Sequence, residues 1–476
     1  MLTTDAPAGH ARPYSTRLRT ALILTGTGTA GAYHAGVLRA LHEAGVRIDL
    51  VGARGIGALG AMFAAVDGGQ RLWDRDGFWK HASISRAYNW RAPLRVAGWA
   101  MVAAGALLAL PLALFGLGVI AAFIAVVLSL VTLTSASVAV KDGYNRALDV
   151  LFAPTALPTI VPELIVFCLL VAAGALVAGL AISLWRAPAR RRVRQGVLWR
   201  LFGSPLSSRF IVERAISELW SLIRGAAGLA TPGRAELGRR YLELLSENLG
   251  QPGFRELLIV AHDMDARRDV LFALLSDGHR QRFFARDADG GRAAEAFDLA
   301  GVGRDHVMDA LAASLSLPVA TDPHLLRFPV EGPWRGETHR VCDRPGALDR
   351  LFDEIAAAGA EQLVVVSCAP EPGRPHELSS GRADVRGRSA EQLSSFEAAG
   401  LRDALARAAG RFNGVFVVRP SHNPVGALDF AGVYDERSDR HFSLAELVDR
   451  GYEDAYRQFI EPVVAASGDR IAAVQS

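Results

Sequence analysis

Forty-five consecutive residues, Val96 to Val140, carry no charged side chain and are bounded by Arg95 and Lys141. A second run, Leu164 to Trp185, adds 22 more. About 20 apolar residues span a hydrocarbon core of about 30 Å, so both runs are predicted to cross a bilayer rather than to serve as buried core helices. The charges around them set the expected orientation. Lys80, Arg86, Arg91 and Arg95 precede the first run, and Arg186, Arg190, Arg191, Arg192, Arg194 and Arg200 follow the second, whereas residues 141–163 carry two bases and three acids. The positive-inside rule places both outer flanks in the cytoplasm and the intervening loop outside. A single 45-residue helix would be about 68 Å long. The first run is therefore expected to hold one span plus a re-entrant or interfacial piece, broken near Pro111 or Gly116–Gly118. Two spans around a short external loop is the preferred topology, and a hairpin giving three spans is the alternative. Trp185 and Trp199 suit an interfacial belt, and the arginines between them suit either a topology signal or anionic headgroups.

The remainder of the chain excludes several classes. With 52 Lys+Arg against 49 Asp+Glu, the net charge of +3 argues against nucleic-acid binding by bulk charge. Two lysines among fifty arginines read as GC-rich coding bias rather than a binding signal. Three cysteines, Cys168, Cys342 and Cys368, cannot build a disulfide framework. Twelve histidines lie without metal-ligand spacing, so neither a metal nor a cofactor is expected. Residues 1–19 read as a disordered tail without the apolar core of a signal peptide.

Outside the apolar runs the pattern is α/β. Ala21–Leu24 and Leu50–Ala53 are short apolar strands, each feeding a glycine-rich turn and a helix, and they are expected to be parallel neighbours in one sheet. The first helix, Tyr33–Glu43, should stop at Gly45. Helices are predicted over Ile211–Ile223 and Ala235–Leu249, and strands over Leu257–Ala261, Leu363–Ser367 and Gly414–Val418. The expected organisation is a tail (1–19), a first domain segment (20–93), a membrane insertion with a basic flank (94–202), a second domain segment (203–465) and a C-terminal tail (466–476).

Gly26-Thr27-Gly28-Thr29-Ala30-Gly31 follows a strand and opens a helix, as a dinucleotide fingerprint does. The acid such a site needs should end the second strand, but Asp49 precedes it. The wider text resembles patatin-like phospholipases. Leu22 to Leu38 is similar to their strand, glycine-rich oxyanion loop and Gly-Val-Leu helix. Val51 to Ala61 is similar to their G-x-S-x-G nucleophile elbow. Ala261-His262-Asp263-Met264-Asp265, Ala313-Ser314-Leu315-Ser316-Leu317-Pro318 and Arg340-Val341-Cys342-Asp343 match three further landmarks in order.

The resemblance implies a three-layer α/β/α sandwich, here interrupted by a transmembrane helical insertion. It also implies an acyl-ester lipid as ancestral ligand, and a serine–aspartate dyad in which the aspartate is general base. Here the departures cluster at the reaction centre. The elbow reads Ala53-Arg54-Gly55-Ile56-Gly57, so the nucleophile position is Gly55, which has no side chain to acylate. Gly26, Gly28 and Gly31 keep the oxyanion loop, while Thr27 takes its middle glycine and Ala30 its arginine. Asp343 survives, but Arg344 and Pro345 follow it instead of glycines. If the middle loop position requires a positive φ, Thr27 should distort it.

The expected function is a catalytically impaired, membrane-anchored protein that retains lipid or fatty acyl ligand ancestry, placed on the cytoplasmic face of a membrane such as the bacterial inner membrane. Two alternatives stand beside it. One is an active lipid acyl hydrolase with Thr27, Thr29 or Cys342 as substitute nucleophile. The other is a non-catalytic partner in a membrane complex.

Overall fold

The computed structural model describes residues 13–152, 160–186, 203–288, 292, 294–330, 334–369, 385–420, 426–430, 432–435 and 440–466. The N-terminal part of the tail and the basic run at 190–200 lie outside the described residues. The chain divides into two compact units, one made of Met1–Asn89 with Ser207–Ser476 and the other of Trp90–Leu206.

In the first unit, β1 (Thr20–Leu24) is followed by α1 (Ala30–Glu43), β2 (Leu50–Arg54), α2 (Gly57–Ala65) and the single turn α3 (Gln70–Trp73), and the two-residue β3 (Asn89–Trp90) falls at the boundary. The second unit supplies α4 (Ala92–Leu130), α5 (Thr134–Phe152) and α6 (Ile160–Arg186). The first unit resumes after β4 (Leu206–Ser207) with α7 (Arg209–Arg224), α8 (Arg234–Asn248), β5 (Glu256–Asp263), β6 (Arg268–Leu274), α9 (Asp277–Ala288) and β7 (Ala294–Asp298). Then come α10 (Val307–Ser314), β8 (His324–Arg327), β9 (Thr338–Cys342), α11 (Leu348–Ala357), β10 (Gln362–Val366), α12 (Val385–Ala408), β11 (Gly414–Val418) and α13 (Leu444–Ala455).

Among the described residues nine strands form one sheet. Its main path is β11-β10-β1-β2-β5-β6-β7, and β9 joins β5 to β8. The strands from β11 to β5 are parallel, while β6 and β9 each run antiparallel to β5. The expected pairing holds, with Ala21 opposite Leu50 and Leu24 opposite Ala53. Every residue of β1 and β2 is buried, as a parallel sheet covered on both faces requires. On one face Ala21, Ile23, Leu50 and Leu258 pack with Leu351, Ile355, Leu401 and Ala404 of α11 and α12. The other face carries α1 and α2, and α13 crosses α1 so closely that a Cβ on Gly36 would lie 1.8 Å from the Val448 carbonyl oxygen. The architecture is an α/β/α sandwich. Gly45 ends α1 as expected, at φ 64° with Val46 N–H bonded to the Leu41 carbonyl.

The second unit corrects one expectation. α4 runs unbroken through Pro111, Gly116 and Gly118, and the chain turns at Val131–Leu133 instead. Thr132 adopts φ 63°, with Leu133 N–H bonded to Leu128 O and Thr132 N–H to Ser129 O, a Schellman closure with threonine in the glycine position. The helix keeps its internal proline and glycines and ends where the Thr132 turn satisfies its last carbonyls. The expected loop at 141–163 is correspondingly helical over much of its length. Ala92–Leu130 and Val161–Ile182 are each long and apolar enough to cross a membrane.

Candidate functional site

The three landmarks separated in sequence come together at the carboxyl end of β5. Cys342 pairs with His262 and Val341 with Asp263 across β9 and β5. Met264 N–H donates to the Arg340 carbonyl, and the Asp265 carboxylate receives the Arg340 guanidinium at 2.7 Å. Asp343 N–H donates to the Ser316 carbonyl at 2.9 Å, which fixes the residue at the strand end. This is where open α/β sheets place ligands, outside the carboxyl ends of parallel strands.

The turn expected as the elbow joins β2 to α2 and has glycine at its centre. Gly55 sits between β2 and α2 at φ 55°, the left-handed conformation that a sharp strand-to-helix turn demands. A Cβ there would lie 3.0 Å from Asp343 Oδ2 and 2.3 Å from the Gly26 carbonyl oxygen. Gly55 and Asp343, 288 positions apart in the chain, are thus direct neighbours. The space beside Gly55 is taken up by the Gly26 carbonyl. The N–H of Ile56, the residue after the nucleophile position and a natural oxyanion donor, donates to Gly26 O at 3.0 Å.

Arg54 is paired with Asp343. Its Nε and Nη2 reach Asp343 Oδ1 and Oδ2 at 3.3 and 3.0 Å, and Nη1 and Nη2 reach Glu397 Oε1 at 2.8 and 2.7 Å. Side-chain exposures of 1% for Arg54 and Asp343 and 5% for Glu397 put all three inside the protein. Burial pushes the Asp343 carboxyl above its ordinary range, against the lowering pull of Arg54 and of the Gly55 and Arg344 N–H groups. Burial likewise raises Glu397, again opposed by Arg54. One guanidinium cannot neutralise two buried carboxylates, which is why desolvation prevails at both.

The other candidate nucleophiles are tied down. Thr29 Oγ1 donates to the Gly426 carbonyl at 2.6 Å. Burial lifts the Cys342 thiol to about 12. Thr27 Oγ1 donates to Glu397 Oε1 at 3.3 Å. Thr27 is not among the residues at positive φ; the left-handed angles fall on Gly26 and Gly28, so the condition under which the threonine would distort the loop is not met. Gly28 is required for a different reason: a Cβ would lie 1.9 Å from Ala427 O, where the segment Gly426–Phe430 lies across the loop. That segment also accepts Thr29 N–H at Ala427 O and sets Phe430 against the buried Tyr88. Gly31 packs under Trp79, and Gly57 under the Leu24 carbonyl. A pocket of about 250 Å³, including its open mouth, borders Gly26, Thr27, Cys368 and Glu397; neither Gly55 nor Asp343 lines it. Among the described residues no cluster of His, Cys, Asp or Glu could hold a metal.

Glu397 was not among the expected site residues. The available signal was its register: it stands four residues from both Leu393 and Leu401, on the buried stripe of α12 where an unpaired acid is out of place.

A sequence model of the patatin-like phospholipase family matches residues 22–148, which include the loop, the elbow and α4. The chain contains a patatin-like phospholipase domain. Patatin-like phospholipase domain-containing protein 6 of human, mouse and the orangutan Pongo abelii is 44% identical over 66 residues, 14% of this chain. The match spans 5% of the length of each of these relatives. Among solved structures, VipD from Legionella pneumophila is 13% identical, with 93% of this chain and 67% of that one covered at a TM-score of 0.30.

Proposed function

We propose that this chain is a membrane-anchored patatin-like protein of acyl-lipid ligand ancestry in which serine ester hydrolysis has been lost. One arrangement carries the reading. The nucleophile position is Gly55, its neighbouring N–H is satisfied by Gly26 O, and the surviving Asp343 is consumed by Arg54. A hydrolase needs an attacking oxygen, a free base and donors about 2.7–3.1 Å from the developing oxyanion. Here each of these three is replaced by an internal contact, and the cleft works as a structural ion cluster. The two long apolar helices support anchoring by the insertion at 94–202, with the domain segments 20–93 and 203–465 on the cytoplasmic side of a membrane such as the bacterial inner membrane. In that setting the domain serves as a non-catalytic component at the membrane surface.

The test is hydrolysis of short- and long-chain acyl esters and phospholipids by the purified chain in nanodiscs, with fluorophosphonate labelling in parallel. Negligible turnover and no labelling are expected. Turnover abolished by Asp343→Asn would overturn the proposal. A second reading has one observation in its favour: the Thr27 hydroxyl faces the Glu397 carboxylate beside the pocket, as a substitute nucleophile and base would. Turnover abolished by Thr27→Val but kept by Thr27→Ser would select it. Release of the chain by alkaline carbonate would refute anchoring independently of catalysis.

A further inference from the structure

The second unit holds a helical seam without a partner. α6 runs antiparallel to α4: a Cβ on Gly179 would lie 3.0 Å from Pro93, and Ala97 and Ala100 cluster with Ala172. Counting eighteen residues back from Gly179 and eighteen forward from Pro93 brings Val161 level with Pro111, since both helices rise by the same step. α6 therefore covers only the first half of α4. Along the second half α5 folds back, with Ser137 Oγ donating to Ala125 O and Tyr144 OH to Leu114 O, each at 2.8 Å. Gly118 makes room for the Tyr144 ring. The side chains of α4 that turn toward α5 stand at 114, 118, 121, 125 and 128.

A different face of this half-helix is open. Leu112, Val119, Phe123, Val126 and Leu130 are exposed, Phe123 at 69% and Leu130 at 78%, and Gly116 has nothing near its absent side chain. Positions 112, 116, 119, 123, 126 and 130 alternate in steps of four and three, the spacing of a helix–helix seam. Lipid does not account for it. The outward face of α5 carries Lys141, Asp142, Asn145, Arg146 and Asp149, all exposed. Tyr144 lies level with Leu114, so this charged belt flanks the middle of α4, close to the level of Glu163 at the start of α6. Charged side chains are rare at bilayer depth and mark the boundary of the hydrocarbon. On the membrane reading, the belt sets one edge of the hydrocarbon, the part of α4 beyond it stands outside the bilayer, and its apolar seam needs cover.

Resting on the membrane reading above, we propose that this seam is the contact with a second copy of this chain. The hairpin of α4 and α5 is apolar on one side and polar on the other, which is half of a four-helix bundle. A seam without charge is self-complementary under two-fold symmetry. Its five large residues, with Phe115, Ile120 and Val127 beside them, expose an area on the order of the 800 Å² per partner of a standard interface.

The test uses the full chain in nanodiscs, in a Cys168→Ser background that leaves two buried cysteines. Phe123→Cys should form a covalent dimer under mild oxidation, and Asn145→Cys, on the charged face of α5, should not. The unmodified chain should show twice its 50.9 kDa mass, and Phe123→Lys/Val126→Lys should halve that mass. A monomeric unmodified chain, a dimer that survives the double lysine change, or equal cross-linking at both positions would overturn the proposal. Carbonate resistance is measured on the same samples and reports the membrane reading alone, so the failure of either is read separately.

Discussion

Replacing Arg54 by methionine tests whether the ion cluster holds this domain together. The substitution keeps roughly the length of the side chain and removes its charge. It strands Asp343 and Glu397, exposed by 1% and 5%, with the Thr27 hydroxyl and the N–H groups of Gly55 and Arg344 as their remaining donors. Removing one partner of a buried ion pair costs about 3–5 kcal/mol, because the other charge stays desolvated. Urea unfolding followed by tryptophan fluorescence in nanodiscs should then show the midpoint fall by roughly 1 M at pH 8. The sign of the pH dependence follows from the raised carboxyls. A carboxyl raised by folding contributes stability that is full below its unfolded value and is lost as pH rises through its folded value. The deficit of Arg54→Met should therefore shrink toward pH 5, where the stranded carboxyls take up protons. Arg54→Met/Asp343→Asn/Glu397→Gln, which leaves no charge behind, should recover part of the loss. A deficit under about 1 kcal/mol at pH 8, or one that does not change with pH, would refute the reasoning.

Three further outcomes are expected. Gly55→Ser should yield no esterase activity and should lower the unfolding midpoint. Its Cβ would meet Gly26 O at 2.3 Å, and the left-handed backbone costs an L-residue about 1–2 kcal/mol; a stable, active variant would contradict the closed cleft. Asp309 accepts from His306 at 3.0 Å and His324 at 2.8 Å; burial alone would raise its carboxyl, but the two histidines win and hold it at about 2. That depression contributes about 2 kcal/mol, present above the ordinary carboxylate range and lost as pH falls from about 4 through about 2, so Asp309→Asn should flatten acid unfolding in that window. Cys342, with its thiol at about 12 and its side chain buried, should resist maleimide at pH 8 until the domain is unfolded, and rapid native labelling would refute that placement.

What the sequence determined by itself is local. Uninterrupted apolar runs can only be buried strands or membrane-length helices, so β1, β2 and the two long helices were legible from hydrophobicity alone. The turn at Gly55 was legible too, because a strand, a glycine and a helix in succession leave few conformations. Tertiary structure decided the rest. That Arg54 turns inward onto Asp343 depends on β9 reaching the end of β5, 289 residues downstream. That Glu397 completes the cluster depends on α12 packing over the sheet, 343 residues away. The end of α4 was equally hidden. Proline and glycine mark a break only where the chain gains a satisfied terminus, and that terminus is Thr132, whose β-branched side chain gives no hint of a left-handed turn. Chain-local rules fix which groups must be buried or bonded; which partner satisfies them is set by the packing of segments that are distant in the chain.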